Sequence, residues 1–175
     1  MPVEYVILVT KEDKPVGMME KMEAHERSAL HRAFSVFIFN TKGELLLQQR
    51  AGHKYHSPLL WTNTVCSHPR QGEETADAAH RRIVEEMGFD CDFSEAFSFV
   101  YKAKVGKGLT EHEYDHVFIG VSDKHPVINT DEVETWKYIT LEDLEKDVTE
   151  NPDNYTVWFK IALKEVLNYF KKSNL

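Results

Sequence analysis

The chain has 175 residues, with 21 Lys and Arg against 29 Asp and Glu, a formal charge of −8 before its nine His are counted. That length suits one domain with a real core, and 42% hydrophobic with 29% charged residues is a globular balance rather than a disordered one. The acidity argues against nucleic acid or an anionic membrane surface as a partner, and at first sight against an anionic substrate.

Residues 3–10 read as a strand, centred on Tyr5-Val6-Ile7-Leu8-Val9. The run has no basic flank and no small-residue cleavage site, so it does not read as a signal peptide. No apolar run approaches the ~20 residues a membrane helix needs. Residues 31–40 and 44–50 read as two strands around the turn Asn40-Thr41-Lys42-Gly43, a hairpin signal. Residues 51–60 are irregular, with Gly52 and Pro58; residues 61–66 read as a short strand, followed by a loop through Pro69 and Gly72. A helix is predicted over 74–87, with Thr75 as N-cap, Ala76, Ala79, Ile83 and Met87 on one face, and Gly88 as its stop. Residues 93–104 and 112–122 read as strands joined by Gly106-Lys107-Gly108. Another strand covers 134–140, then a short helix 141–147 and the longest helix, 155–171, with Val157, Ile161, Val166 and Phe170 among its apolar positions. Central strands with inserted and appended helices predict an α/β (α+β) architecture, an α/β/α sandwich with a mixed sheet in one domain over 1–175. Two Cys make no disulfide framework, and a reducing cytoplasm is the expected compartment.

Polar chemistry is densest between Cys66 and Glu86. Cys66 and His68 stand two apart and share a face if the strand continues. Glu111 and Glu113 also share a strand face, with His112 pointing the other way. His25 and His31 are six apart, which no single helix face joins, so they converge only through a loop. Together His25, His31, His68, Glu111 and Glu113 make a mixed N/O set suited to Zn²⁺, Mn²⁺ or another first-row divalent ion. Arg82 and Glu86 stand at i and i+4, which suits a diphosphate site where the carboxylate holds Mg²⁺ and the Arg holds phosphate oxygens. Each feature also has an ordinary reading: a small buried Cys, a charged strand edge, surface His, and an ion pair worth a few tenths of a kcal/mol.

Ser67, Glu73, Arg81, Arg82, Ile83, Glu85, Glu86, Gly88 and Phe89 fall on the pattern of the Nudix box, whose core is Arg-Glu-U-x-Glu-Glu-x-Gly-U with U a bulky apolar residue. Ser67 replaces the leading Gly, and Arg82 replaces the first core Glu, which normally helps bind the metal for diphosphate hydrolysis. Asn63-Thr64-Val65-Cys66-Ser67-His68-Pro69, Arg81-Arg82 and Glu111-His112-Glu113 instead resemble the type I isopentenyl diphosphate isomerases. Glu20 to His25, Leu30 to Ser35, Gln49-Arg50-Ala51 with Lys54, Tyr101 and Trp158 extend the resemblance over nearly the whole chain.

The resemblance implies a Nudix-like fold whose N-terminal segment 1–30 contributes to the active site. It implies interconversion of isopentenyl and dimethylallyl diphosphates, in isoprenoid biosynthesis. Cys66 and Glu113 would be the two proton-transfer groups, Tyr101 a hydrogen-bonding helper to Glu113, and Trp158 the aromatic wall. His25, His31, His68, Glu111 and Glu113 would hold one divalent ion, Mn²⁺ or Zn²⁺. Glu86, with the Cys66 backbone carbonyl nearby, would hold Mg²⁺ bound with the diphosphate. Lys21, Arg50, Lys54 and Arg82 would contact the diphosphate. Cys91 has no matched motif and no assigned role. The competing reading is a Nudix diphosphohydrolase acting on a nucleotide or related diphosphate, which needs neither Cys66 nor the histidines.

Overall fold

The computed structural model describes residues 3–173. Strand β3 (His31–Phe39) is buried along nearly its whole length, and the other elements assemble around it. One edge pairs in parallel with β8 (Leu109–Val121), from His31↔Glu113 to Phe39↔Val121. The other edge is shared along its length. It takes β1 (Tyr5–Val9) at Leu8↔His31, β6 (Val65–Ser67) at residues 34–36, and β4 (Glu44–Arg50) at Phe39↔Leu45. β2 (Pro15–Glu20) pairs with β1, β7 (Phe93–Gly106) with β8, and β9 (Val133–Thr140) with β4, giving one nine-stranded mixed sheet with β5 (Trp61–Thr62) on β4.

The expected hairpin of residues 31–50 therefore forms its turn, but its strands part at once. The expected strand 61–66 divides into β5 on β4 and β6 on β3. Side chains fill the opening. Thr64 Oγ1 accepts from Ile38 N at 3.0 Å and donates to Leu46 O at 2.7 Å, while Asn63 Nδ2 donates to Val36 O at 3.1 Å and to Val65 O at 2.9 Å. These bonds satisfy backbone groups that would otherwise be buried without partners.

Alternate β3 side chains feed two cores, as a strand covered on both faces requires. Phe34, Val36 and Ile38 pack with Ala78, Ala79, Ile83 and Met87 of α2 (Thr75–Met87). Phe37 and Phe39 face the other side, against Phe159, Ala162, Leu163 and Val166 of α4 (Val157–Ser173) and Leu144 of α3 (Leu141–Glu150). The sandwich is as expected; the buried stripe of α4 is Trp158, Phe159, Ala162, Leu163 and Val166, with Phe170 packed beside it and Val157 and Ile161 half-buried. Ala76 is exposed, and Glu74, not Thr75, is the N-cap of α2, without a side-chain bond. Gly88 ends α2 at φ 73°, where a Cβ would come within 2.1 Å of Val127 O, so no other residue fits. β2 and the short helix α1 (Lys21–Arg27) lie in a stretch whose pattern had predicted no element.

The loop entering α2 is tied to the helix by a two-pronged ion pair. Arg81 Nε donates to Glu73 Oε2 at 2.8 Å and Nη2 to Oε1 at 2.9 Å. Arg81 holds the Glu73 carboxyl below its ordinary value of 4.5, against a smaller opposing effect of burial. A depressed carboxyl stabilises the fold above its unfolded pKa and loses that contribution as pH falls through the folded value. Glu73→Gln is therefore expected to cost roughly 0.5–1 kcal/mol in denaturant unfolding at pH 7, the two-pronged geometry being partly offset by solvent screening. The gap to the parent protein should close as pH drops below about 4.5; a gap that widens in acid contradicts this account.

Candidate active site

A cavity of about 740 Å³ opens beside β3, walled by the starts of β1 and α1, the segment after β4, β6, α2, β8 and the first turn of α4. Its chemistry divides into a metal-type cluster, a proton-transfer pair and a basic end.

The cluster follows from strand alternation. Glu111, Glu113 and Asp115 point inward from β8 and are all buried, while His112 turns out and pairs through Nδ1 with Ser28 O at 2.9 Å. Register sets Glu113 opposite His31. α1 closes at Ser28 in the left-handed conformation, and the tight return brings His25 to within 5.5 Å of His31 between ring centroids. His25 Nδ1 donates to Lys21 O at 2.5 Å and His31 Nδ1 to Ala29 O at 2.9 Å, so each Nε2 is aimed inward with its tautomer fixed by backbone. His25 Nε2 lies 2.7 Å from Glu111 Oε1, His68 Nε2 2.9 Å from Glu113 Oε2, and His31 Nε2 3.3 Å from Glu113 Oε2.

Donor atoms of His31, His68, Glu111 and Glu113 lie within 4.8 Å of one another, and His25, His56 and Glu111 form an overlapping set. Among the described residues, His31 Nε2 and Glu111 Oε2 are buried without a hydrogen bond. Nitrogens facing carboxylate oxygens need a cation between them, a proton or a metal, so this donor set fits a divalent ion. Burial lowers the proton affinity of His25 and His31, but hydrogen bonds to Glu111 and Glu113 outweigh it and raise both pKa values. Burial carries His68 down to about 4 despite Glu113, leaving a neutral imidazole.

Cys66 and Glu113 reach the cavity from strands on opposite edges of β3, where their ladder partners are Ser35 and His31. Cys66 Sγ donates to Asn63 Oδ1 at 2.9 Å. Burial, then the Asp115 carboxyl, pushes the thiol up to about 12, so it keeps its proton. Asp115 accepts from Ser35 Oγ at 2.7 Å and is itself pushed well above the carboxylate range by burial and Glu113. Tyr101 donates its hydroxyl to Glu113 Oε1, and burial with the Glu113 charge keeps it a phenol. Trp158 closes the wall, with the Arg50 guanidinium carbon 5.1 Å from its ring centroid and His56 edge-on at 5.5 Å.

Lys21, Arg50, Lys54 and Arg82 all line the cavity. Each is held in place: Lys21 by Glu4 at 2.5 Å, Lys54 by Glu132, Arg82 by Glu85 at 2.6 Å, and Arg50 by the carbonyls of His56 and Ser57. The overall −8 describes the average surface and not this pocket, where four basic side chains gather at one end.

Every predicted site residue lines this cavity or, for His31, its buried back. His56, Asp115 and Glu132 were missed. Asp115 continues the inward alternation of Glu111 and Glu113 and was legible from it; His56 lies in an irregular segment with no periodicity to place it. Cys91 packs against the α2 core and has no part here.

Residues 29–159 match the NUDIX domain family. The chain is 53% identical to isopentenyl-diphosphate Delta-isomerase 2 of Aromatoleum aromaticum, covering 94% of this chain and 87% of the relative. It is 47% identical to the isopentenyl-diphosphate Delta-isomerase of Pectobacterium atrosepticum, covering 98% and 96%. The chain belongs to the isopentenyl-diphosphate Delta-isomerase family. That membership favours isomerase over hydrolase, in keeping with Arg82 at the Nudix-core position where hydrolases carry Glu. Among solved structures, DR0079 from Deinococcus radiodurans shares the isomerase's fold at 20% identity, with TM-score 0.70 over 85% of this chain and 90% of that one. Among the described residues, no helix of the isomerase is long and apolar enough to cross a membrane.

Proposed function

We propose that the chain interconverts isopentenyl and dimethylallyl diphosphates by proton addition and removal at Cys66 and Glu113. Moving the double bond requires a proton added at C4 and another removed at C2, with a tertiary carbocation at C3 between the two steps. An unactivated alkene is a weak base, so one acid and one base must be positioned around the same carbons. The observation that carries this reading is that Cys66 and the Glu113–Tyr101 pair face one cavity from opposite edges of β3. Because the reaction is reversible, each group serves as donor in one direction and acceptor in the other.

Trp158 would present its π face to the cation, a contact worth about 2 kcal/mol when desolvated. Water would have to be kept from the carbocation, which it would otherwise capture. Lys21, Arg50, Lys54 and Arg82 would bind the diphosphate. Mn²⁺ or Zn²⁺ at His25, His31, His68, Glu111 and Glu113 would fix Glu113 and set its acidity, and Mg²⁺ at Glu86 and the Cys66 carbonyl would neutralise the diphosphate. The free thiol of Cys66 suits a reducing compartment such as the cytoplasm.

Incubating isopentenyl diphosphate with the metal-loaded protein tests the reading. Dimethylallyl diphosphate should accumulate to equilibrium without phosphate release. Release of phosphate or pyrophosphate with no isomer formed would replace it with the hydrolase reading.

A further inference from the structure

Glu132 lies outside every motif read from the sequence, yet it lines the cavity at its basic end. The turn carrying it is pinned on two sides. Asn129 N donates to Glu86 O at 3.0 Å, and Ala51 N donates to Glu132 O at 3.2 Å. This turn therefore links the C-terminal part of α2, which carries Arg82 and Glu86, to the segment after β4, which carries Lys54.

The side chains converge from those elements. Glu132 accepts from Lys54, and its Oε2 lies 3.5 Å from Arg82 Nη2. The same Nη2 is 3.0 Å from Glu86 Oε2. One guanidinium nitrogen thus stands between carboxylate oxygens of two separate elements. Glu86 is only 5% exposed, and Gln48 Nε2 donates to its Oε1 at 3.1 Å. Its Oε2 is buried and, among the described residues, has the Arg82 ion pair but no hydrogen bond; Arg82 Nε is likewise buried without one. The Arg82 guanidinium is thus the cation against this buried carboxylate oxygen, and Arg82 can leave it only if another cation takes its place, because a buried carboxylate without one is costly.

We propose that Glu86 and Glu132 form a two-carboxylate seat for the divalent ion that accompanies the diphosphate, and that Arg82 fills this seat when no diphosphate is bound. The proposal rests on the diphosphate reading of the basic end. On diphosphate binding, Lys54 and Arg82 turn to the phosphate oxygens. Glu132 would then face an anion directly, and like charges at that range repel. A cation between the carboxylates and the diphosphate reverses the sign of that contact. Mg²⁺ is commonly held in this way, by one or two carboxylates plus phosphate oxygens.

Pyrophosphate and Mn²⁺ are the probes, used on protein whose His/Glu cluster is already saturated with Zn²⁺. Calorimetry reads metal-free pyrophosphate binding, and electron paramagnetic resonance reads Mn²⁺ binding in the presence of pyrophosphate. Glu132→Gln should weaken Mn²⁺ binding at least tenfold while metal-free pyrophosphate binds as tightly as before or more tightly. Unchanged Mn²⁺ affinity overturns the proposal. So does a parallel loss of both affinities, which would make Glu132 only a clamp for Lys54 and Arg82. Parent protein that binds pyrophosphate neither with nor without metal would instead remove the diphosphate reading itself, and this seat with it. If Glu132→Gln does not fold, Glu132→Asp carries the same comparison, with Mn²⁺ affinity reduced and metal-free binding kept.

Discussion

Cys66→Ala is expected to lower the isomerisation rate by on the order of 10³-fold or more, within the range set by losing a positioned proton-transfer group. Its fold should survive. Asn63 Oδ1 loses the thiol donor but still accepts from Thr62 Oγ1 at 3.1 Å, and the Asn63 amide keeps both of its carbonyl partners. The substitution removes no metal-cluster donor, so metal content should match the parent protein. Cys66→Ser keeps the shape with a far weaker acid and should recover little activity. The measurements are kcat with isopentenyl diphosphate, circular dichroism and metal analysis. A variant within tenfold of the parent rate takes Cys66 out of the proton-transfer pair.

Divalent metal should have the largest effect on stability. β8 buries three carboxyl groups on one face, at Glu111, Glu113 and Asp115. Burial followed by the Glu113 charge pushes both Glu111 and Asp115 upward, which is the mark of a site short of positive charge. An ion that binds only the folded chain adds about 2.7 kcal/mol at a hundredfold excess over Kd. For a chain of this size that corresponds to an increase of roughly 5–10 °C in Tm. Mn²⁺ or Zn²⁺ added to chelator-treated protein should give that rise and restore isomerisation. His31→Ala, which removes a donor that shares the Glu113 face, should shrink the rise to less than half. A Tm that is the same with and without metal would contradict the assignment of this cluster.

Legibility tracked the range of the interactions. Glu111 and Glu113 were readable because a strand repeats every two residues, and Asp115, which was missed, continues the same alternation. α2 and its Gly88 stop were readable from helical spacing and from the need for a left-handed residue there. Features set by packing between distant elements were not. The split of residues 61–66 depends on β3 and β4 parting, which Thr64 and Asn63 then fill. The buried stripe of α4 is chosen by the sheet beneath it, so Phe159 and Ala162 are buried while the equally apolar Val157 and Ile161 are only half-buried. His25, His31 and His68 come from a helix, the start of a strand and the end of another, and no local period joins them. Their residue types suggested a metal set and the resemblance to a family implied it, while the structure adds the backbone bonds that aim His25 and His31 and the contact of His68 with Glu113. His56 and Glu132 sit on irregular segments and became visible only through their neighbours.

The most direct test of the central claim is the position of deuterium in the product formed in D₂O. Isopentenyl diphosphate incubated with the metal-loaded protein and Mg²⁺ should yield dimethylallyl diphosphate carrying deuterium in its methyl groups, read by NMR, because the proton added at C4 comes from groups that exchange with solvent. Dimethylallyl diphosphate free of deuterium at initial turnover, or phosphate released with no isomer formed, would contradict isomerisation by protonation at this site.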